Sequence, residues 1–243
     1  MLPAMLEVHN LTKAFRGLVA VKDVSFDVRQ GEILAVIGPN GAGKTTCFDL
    51  IAGALKPSSG EVIFQRERIS GRMPEEIADR GVIRTFQIVR PMRGMTVLEN
   101  AMIGAFARTA SVTDASDIAL SSLKRFGLGQ KAEMSAASLT LPDRKMLELA
   151  RAVAAQPKLL LLDEVMAGLR PSEGDEIVGA IKELHASGVT VLLIEHVMRV
   201  VMALAQRVVV LHHGEKIAEG TPAEVGNDRT VIESYLGKRA KLA

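Results

Sequence analysis

Apolar and polar positions change their rhythm several times along the chain. Residues 6–30 alternate in short runs, as in Ala20–Val28, and predict antiparallel strands. Glu32–Ile37 is a mostly apolar run ending in a Gly-rich turn, the pattern of a buried strand in a mainly parallel sheet. Thr46–Ala54 reads as a helix, Pro57–Gly60 as a turn and Glu61–Phe64 as a short strand. From Pro74 to Ala155 helical periodicity dominates, with loops at Arg90–Gly94 and Thr109–Ser116 and a helix over Ile118–Phe126. Lys158–Leu162 and Val189–Ile194 are buried strands. Between them lies an amphipathic helix, Ser172–Ala186, with Ile177, Ile181 and Leu184 on one face and Gly188 as its stop. Val208–Leu211, a turn at His212–Glu215 and Lys216–Ala218 read as a hairpin, with both histidines exposed. Strands alternating with helices indicate βαβ units and an α/β fold.

Composition narrows the function. The 243 residues suggest one large domain or a core with a subdomain, and 48% apolar content excludes disorder as the main state. Thirty basic and 28 acidic residues nearly cancel, and aromatics are 3% with no Trp. That argues against nucleic acid as a partner, which favours a basic face and stacking aromatics. The single cysteine, Cys47, excludes an internal disulfide and fits a reducing compartment. The N-terminal MLPAMLEVHN lacks the basic start and apolar core of a signal peptide. No apolar run reaches the roughly 18 residues of a membrane span, since Gln206 and Arg207 interrupt Val200–Leu211.

The turn after the first buried strand carries the clearest chemistry. Gly38-Pro39-Asn40-Gly41-Ala42-Gly43-Lys44-Thr45, followed by Thr46, matches the phosphate-binding loop between a strand and a helix. Its backbone N–H groups form a nest for phosphate oxygens and the helix adds its positive N-terminus. Lys44 supplies a charge for the β- and γ-phosphates of ATP, and the Thr45 hydroxyl a ligand for Mg²⁺. Cys47, near that helix start, reads as an apolar filler or as a thiol of lowered pKa whose alkylation blocks nucleotide. Leu159–Leu162 ends in Asp163 and Glu164, at the strand edge where open α/β sheets bind ligands. Asp163 is the expected Mg²⁺ partner and Glu164 the group that polarises the attacking water. His196, after the strand Val189–Ile194, is placed to bridge Glu164, that water and the γ-phosphate.

With the loop, the acidic strand end and His196 in this order, nearly the whole chain resembles the ATP-binding subunit of ABC transporters. Gly17–Val21, Met95–Asn100, Leu193–His196 and Val231–Gly237 look like the branched-chain amino acid importer branch. Related subunits serve urea, amides, aromatic acids and lipopolysaccharide export. The resemblance implies a P-loop (RecA-like) core over residues 1–87 and 151–243, with an N-terminal antiparallel β subdomain and an inserted helical subdomain at 88–150. It implies that Gln87, in Arg84-Thr85-Phe86-Gln87, reaches Mg²⁺ and links to the membrane subunit, and that Phe15 stacks on adenine. It also implies a second ATP-binding subunit, transmembrane permease subunits, an extracellular or periplasmic solute-binding protein, and a peripheral place on the cytoplasmic face of the membrane. A small-molecule P-loop kinase is the competing class, and the long chain between Lys44 and Asp163 with Gln87 inside it fits the transporter subunit better.

Two segments depart from the family. The signature, normally Leu-Ser-Gly-Gly-Gln, reads Leu139-Thr140-Leu141-Pro142-Asp143, although Ala150-Arg151-Ala152 downstream is intact. Thr140 and Asp143 fit a helix-capping pattern with Pro142 in the first turn. Yet Pro142 has no N–H for the partner's γ-phosphate, and Asp143 brings negative charge towards it. The D-loop, normally ending in Asp or Asn, reads Leu169-Arg170. Both changes face the partner's site. The expectation is a heterodimer with one strong and one weak site, against a homodimer that tolerates the variant segment.

Overall fold

The structure is a computed structural model that describes residues 3–85, 91, 92 and 94–236. The chain divides into two compact units, residues 1–77 with 190–243, and residues 78–189.

In the first unit, β1 (Ala4–Phe15) and β2 (Leu18–Arg29) form the antiparallel pair that the alternation predicts. Leu6, Val8 and Leu11 of β1 point into the core. β3 (Ile33–Ile37) is buried at every position and leads through a tight loop into α1 (Lys44–Ile51). β4 (Ser59–Phe64) returns along the free side of β1 and carries β5 (Glu67–Arg68) at the edge. α2 (Pro74–Asp79) follows.

The second unit opens on β6 (Val82–Arg84), which pairs in parallel with β7 (Leu159–Asp163). The periodicity had predicted helix from Pro74 onward. Three residues are too few to register as a strand, and pairing with the wholly buried β7 decides their conformation. Between them lie α3 (Val97–Ala105), α4 (Val112–Arg125) and α5 (Leu141–Ala154), with two 3₁₀ turns at Gly129–Lys131 and Ala136–Ser138. Thr96 and Glu99 form a reciprocal capping box at the start of α3. The loop expected at Thr109–Ser116 is shorter than predicted. Ser111 caps α4 by accepting from the Asp114 N–H, so the polar first turn is helical without apolar periodicity. Small residues, Ala105, Ala115 and Ala154, let α3, α4 and α5 pack closely. α6 (Pro171–Ala186) buries Ile177, Ile181 and Leu184 as its pattern requires.

The chain then re-enters the first unit as β8 (Thr190–Ile194), α7 (Met198–Leu204), β9 (Arg207–His212), β10 (Glu215–Gly220), α8 (Pro222–Asn227) and α9 (Arg229–Leu236). β3 lies between β8 and β9, parallel to both, and β10 pairs antiparallel with β9 as the predicted hairpin. Runs buried at every position are the mark of a parallel sheet covered on both faces.

Candidate functional site

The loop Gly38–Thr45 leaves the C-terminal end of β3, and its glycines answer to neighbouring backbones. Gly38 has φ 151°, and a Cβ there would sit 2.1 Å from the Leu211 carbonyl oxygen of β9. Gly43 has φ 98°, and its Cβ would sit 2.3 Å from the Ala20 carbonyl oxygen of β2. Gly214, in the β9–β10 turn, donates its N–H to Ala42 and accepts from the Lys22 N–H. The loop is therefore held between β2 and the hairpin. Lys44 is 6% exposed, and its ammonium donates to the carbonyls of Gly38 at 2.7 Å and Pro39 at 3.0 Å. Its charge thus lies within the curl of the loop. α1 starts at Lys44 with Gly43 as N-cap, a residue with no side chain to occupy the first-turn N–H groups. Asn40, Gly41 and Thr45 are exposed and Thr46 is half-buried.

Three other residues of this unit belong to the account. Val36 of β3 lies opposite Ile194 of β8, so Gly38 and His196 each follow two residues later from the same sheet edge. His196 is exposed, and its backbone N–H bonds the buried Glu195 carboxylate. Phe15 is 42% exposed at the end of β1, with the Lys13 ammonium 5.1 Å from its ring centroid. It is a surface ring and not a core residue. Tyr235 of α9 is the residue that sequence reasoning missed. Burial raises the pKa of its phenol, and a hydrogen bond with the Gly38 backbone partly offsets that. Its tail segment was recognised, but no local pattern shows which loop it meets.

Cys47 corrects one expectation. It is fully buried in α1, and burial alone pushes its thiol up to about 12. Burial disfavours the thiolate, so the thiol stays protonated at neutral pH. Maleimide is expected to leave native Cys47 unmodified at neutral pH, with or without ATP, and to label it fully once the chain is denatured. Mass spectrometry reads the adduct, and rapid native labelling would contradict the burial.

In the second unit the acidic pair ends β7. Asp163 is 1% exposed. Arg84, the last residue of β6, bonds the Asp163 Oδ2 through Nη2 at 2.9 Å, with both side chains nearly buried. Glu164 follows half-buried at φ 46°, a left-handed backbone unusual for a side chain of its size. Gln87 lies outside the described residues. The Thr45 hydroxyl and the Asp163 carboxylate are hard oxygen donors of the kind Mg²⁺ takes. Among the described residues no group of three or more His, Cys, Asp or Glu could by itself hold a metal. Each of the two, in its own unit, is a donor that fits an ion whose other ligands come from substrate phosphates.

The departing segments meet in this unit. Leu139 is buried and Thr140 is the N-cap of α5, accepting from the Asp143 N–H, with Pro142 in the first turn. Lys131 donates to both Asp143 oxygens at 2.7 Å, and Thr140 donates to one of them. Burial raises the Asp143 carboxyl, but these bonds outweigh it and hold it below the usual carboxylate value. The negative charge of Asp143 is therefore compensated from within the chain. A Cβ at Gly168 would lie 3.1 Å from the Leu141 side chain, so the turn at Gly168 lies against the start of α5. Leu169 follows, and Arg170 turns back onto Glu173 at the start of α6, through both backbone and guanidinium.

A family model described as ABC transporter matches residues 21–167, and one described as branched-chain amino acid ATP-binding cassette transporter matches residues 215–241. The high-affinity branched-chain amino acid transport ATP-binding protein LivG of Salmonella typhimurium is 40% identical, over 96% of this chain and 98% of its own. The ADP conformation of MJ1267, an ATP-binding cassette of an ABC transporter, superposes with a TM-score of 0.89 at 32% identity, over 97% of this chain and all of that one. A dimeric post-hydrolysis state of the cassette MJ0796, bound to ADP and Pi, has a TM-score of 0.81 at 26% identity, covering 90% and 99%.

Proposed function

The chain belongs to the ABC transporter family, and from that premise we propose that it is the ATP-hydrolysing subunit of an importer of branched-chain amino acids. Cassettes of this family bind nucleotide and work as dimers with membrane permease components. Among the described residues no helix is long and apolar enough to cross a membrane, so docking on a permease, on its cytoplasmic face, is the proposed mode of attachment. An extracellular or periplasmic binding protein delivers the solute to that permease.

The backbone N–H groups of Gly38–Thr46 receive the phosphates of ATP, with Lys44 bridging the β- and γ-phosphates. Phe15 stacks on adenine. Thr45, Asp163 and Gln87 are the residues that would hold Mg²⁺, which when bound would neutralise charge on the phosphates. Glu164 orients and polarises the attacking water, and His196 links it to the γ-phosphate.

The observation that carries the substrate class is the likeness to LivG over nearly the full length of both chains, together with the separate match at residues 215–241. Uptake of labelled leucine, isoleucine and valine is expected to fall when the gene is deleted. The wild-type chain, but not Glu164→Gln, should restore it. Undiminished uptake of all three, with loss of uptake of urea, an amide or an aromatic acid, would replace this reading.

The signature segment supports a heterodimer with an unequal pair of sites. Lys131 removes the electrostatic part of the expected defect at Asp143. Pro142 still offers no N–H, and one lost hydrogen bond to a charged group is worth about 1.5–3 kcal/mol, or roughly 10- to 150-fold in rate. The purified chain is expected to bind ATP tightly, hydrolyse it roughly 10- to 150-fold more slowly alone than when mixed with a cassette carrying an intact signature, and show no faster-than-linear rise with its own concentration. Hydrolysis rising faster than linearly with the concentration of the chain alone would mean a working homodimer.

A further inference from the structure

None of the roles above uses Arg84, although it forms an ion pair with the Asp163 carboxylate. The two side chains are 10% and 2% exposed, and the contact spans 79 residues of sequence. A carboxylate buried to that degree needs a charged partner with good geometry. Guanidinium supplies it as a planar, permanently charged donor, here through Nη2 to the Oδ2 atom. The backbone beside it is equally constrained. Arg84 lies opposite Leu161 in the β6–β7 register, and the next residue, Thr85, donates its N–H to the Leu161 carbonyl at 2.9 Å. The guanidinium therefore starts from a fixed point and reaches two residues further along β7 to Asp163. Partners that orient a metal-directed carboxylate in this way tune the affinity of the metal.

We propose that Arg84 is a positioning residue that fixes the Asp163 carboxylate in the orientation in which it receives Mg²⁺. The proposal rests on the assignment of Asp163 above. Arg84 also stands three residues before Gln87, so the same contact joins the strand leading into the Gln87 segment to the acidic strand end.

The test uses the purified full chain and mant-ATP fluorescence, first in EDTA and then with rising Mg²⁺. Arg84→Met is expected to bind mant-ATP in EDTA as the wild type does, because Gly38–Thr46 is unaltered. Its Mg²⁺ midpoint should rise by about tenfold or more. Arg84→Lys, which keeps the charge without the planar guanidinium and its reach, should shift the midpoint in the same direction and less. A merely structural role would lower thermal stability and leave the midpoint unmoved, and a folded Arg84→Met with an unmoved midpoint overturns the proposal. If Arg84→Met fails to fold, an unmoved midpoint in Arg84→Lys does the same. Asp163→Asn separates the two levels. A shifted midpoint there with none in the Arg84 variants removes only the positioning role. No shift in Asp163→Asn removes the metal role of Asp163 and this proposal with it.

Discussion

Glu164→Gln is expected to lower ATP hydrolysis in the assembled transporter by about 10²- to 10⁴-fold, the span over which a positioned general base contributes. ATP affinity should stay within about twofold of wild type, because the group acts on water in the reaction and not on the bound phosphates. Glutamine is the right probe at this position. Glu164 holds φ 46°, a conformation that costs on the order of 1–3 kcal/mol for residues with a side chain, and Gln carries the same cost. Shape and backbone strain are thus preserved while the base is removed. Single-turnover hydrolysis and equilibrium nucleotide binding separate the two quantities. A rate within about threefold of wild type would mean that another group polarises the water, with His196 the first to examine.

Gly43→Ala is expected to weaken nucleotide binding about 5- to 150-fold more than Gly41→Ala does. Both glycines have positive φ, 98° and 78°, so both variants bear backbone strain. They differ in their surroundings. Nothing lies within 4 Å of a Cβ at Gly41, whereas one at Gly43 meets the Ala20 carbonyl oxygen at 2.3 Å. That oxygen belongs to β2 and cannot swing aside as a flexible side chain would. The clash adds about 1–3 kcal/mol to the strain. Carried into binding, this is a further factor of about 5 to 150. Titration of each variant with mant-ATP, alongside its unfolding transition, tests the comparison. Equal losses in the two variants would show that φ alone decides the loop and that β2 does not shape it.

How much of this was legible beforehand depends on whether the cause is local. Gly38–Thr45 is eight consecutive residues whose chemistry resides in their own backbone and side chains, so its pattern announces a phosphate loop before any fold is known. Asp163 and Glu164 at the end of an apolar run, and His196 after another, were readable for the same reason. An apolar run marks a buried strand, and the first polar residues after it mark its edge.

The tertiary structure decided what depends on partners distant in sequence or on depth of burial. Arg84 looks like the charged end of a short strand until β7 brings Asp163 to it. Asp143 looks like an uncompensated charge until the turn at Gly129–Lys131 places Lys131 on its carboxylate. Tyr235 meets Gly38 only because α9 returns to the start of the phosphate loop. Cys47, two residues beyond Thr45, has the sequence position of a reactive thiol and the burial of an inert one. By itself the sequence determined which groups are capable of the chemistry, because a side chain carries its own reactivity. Only the folded chain determined how those groups are held, charged and shielded, because orientation and desolvation are set by whatever packs against them.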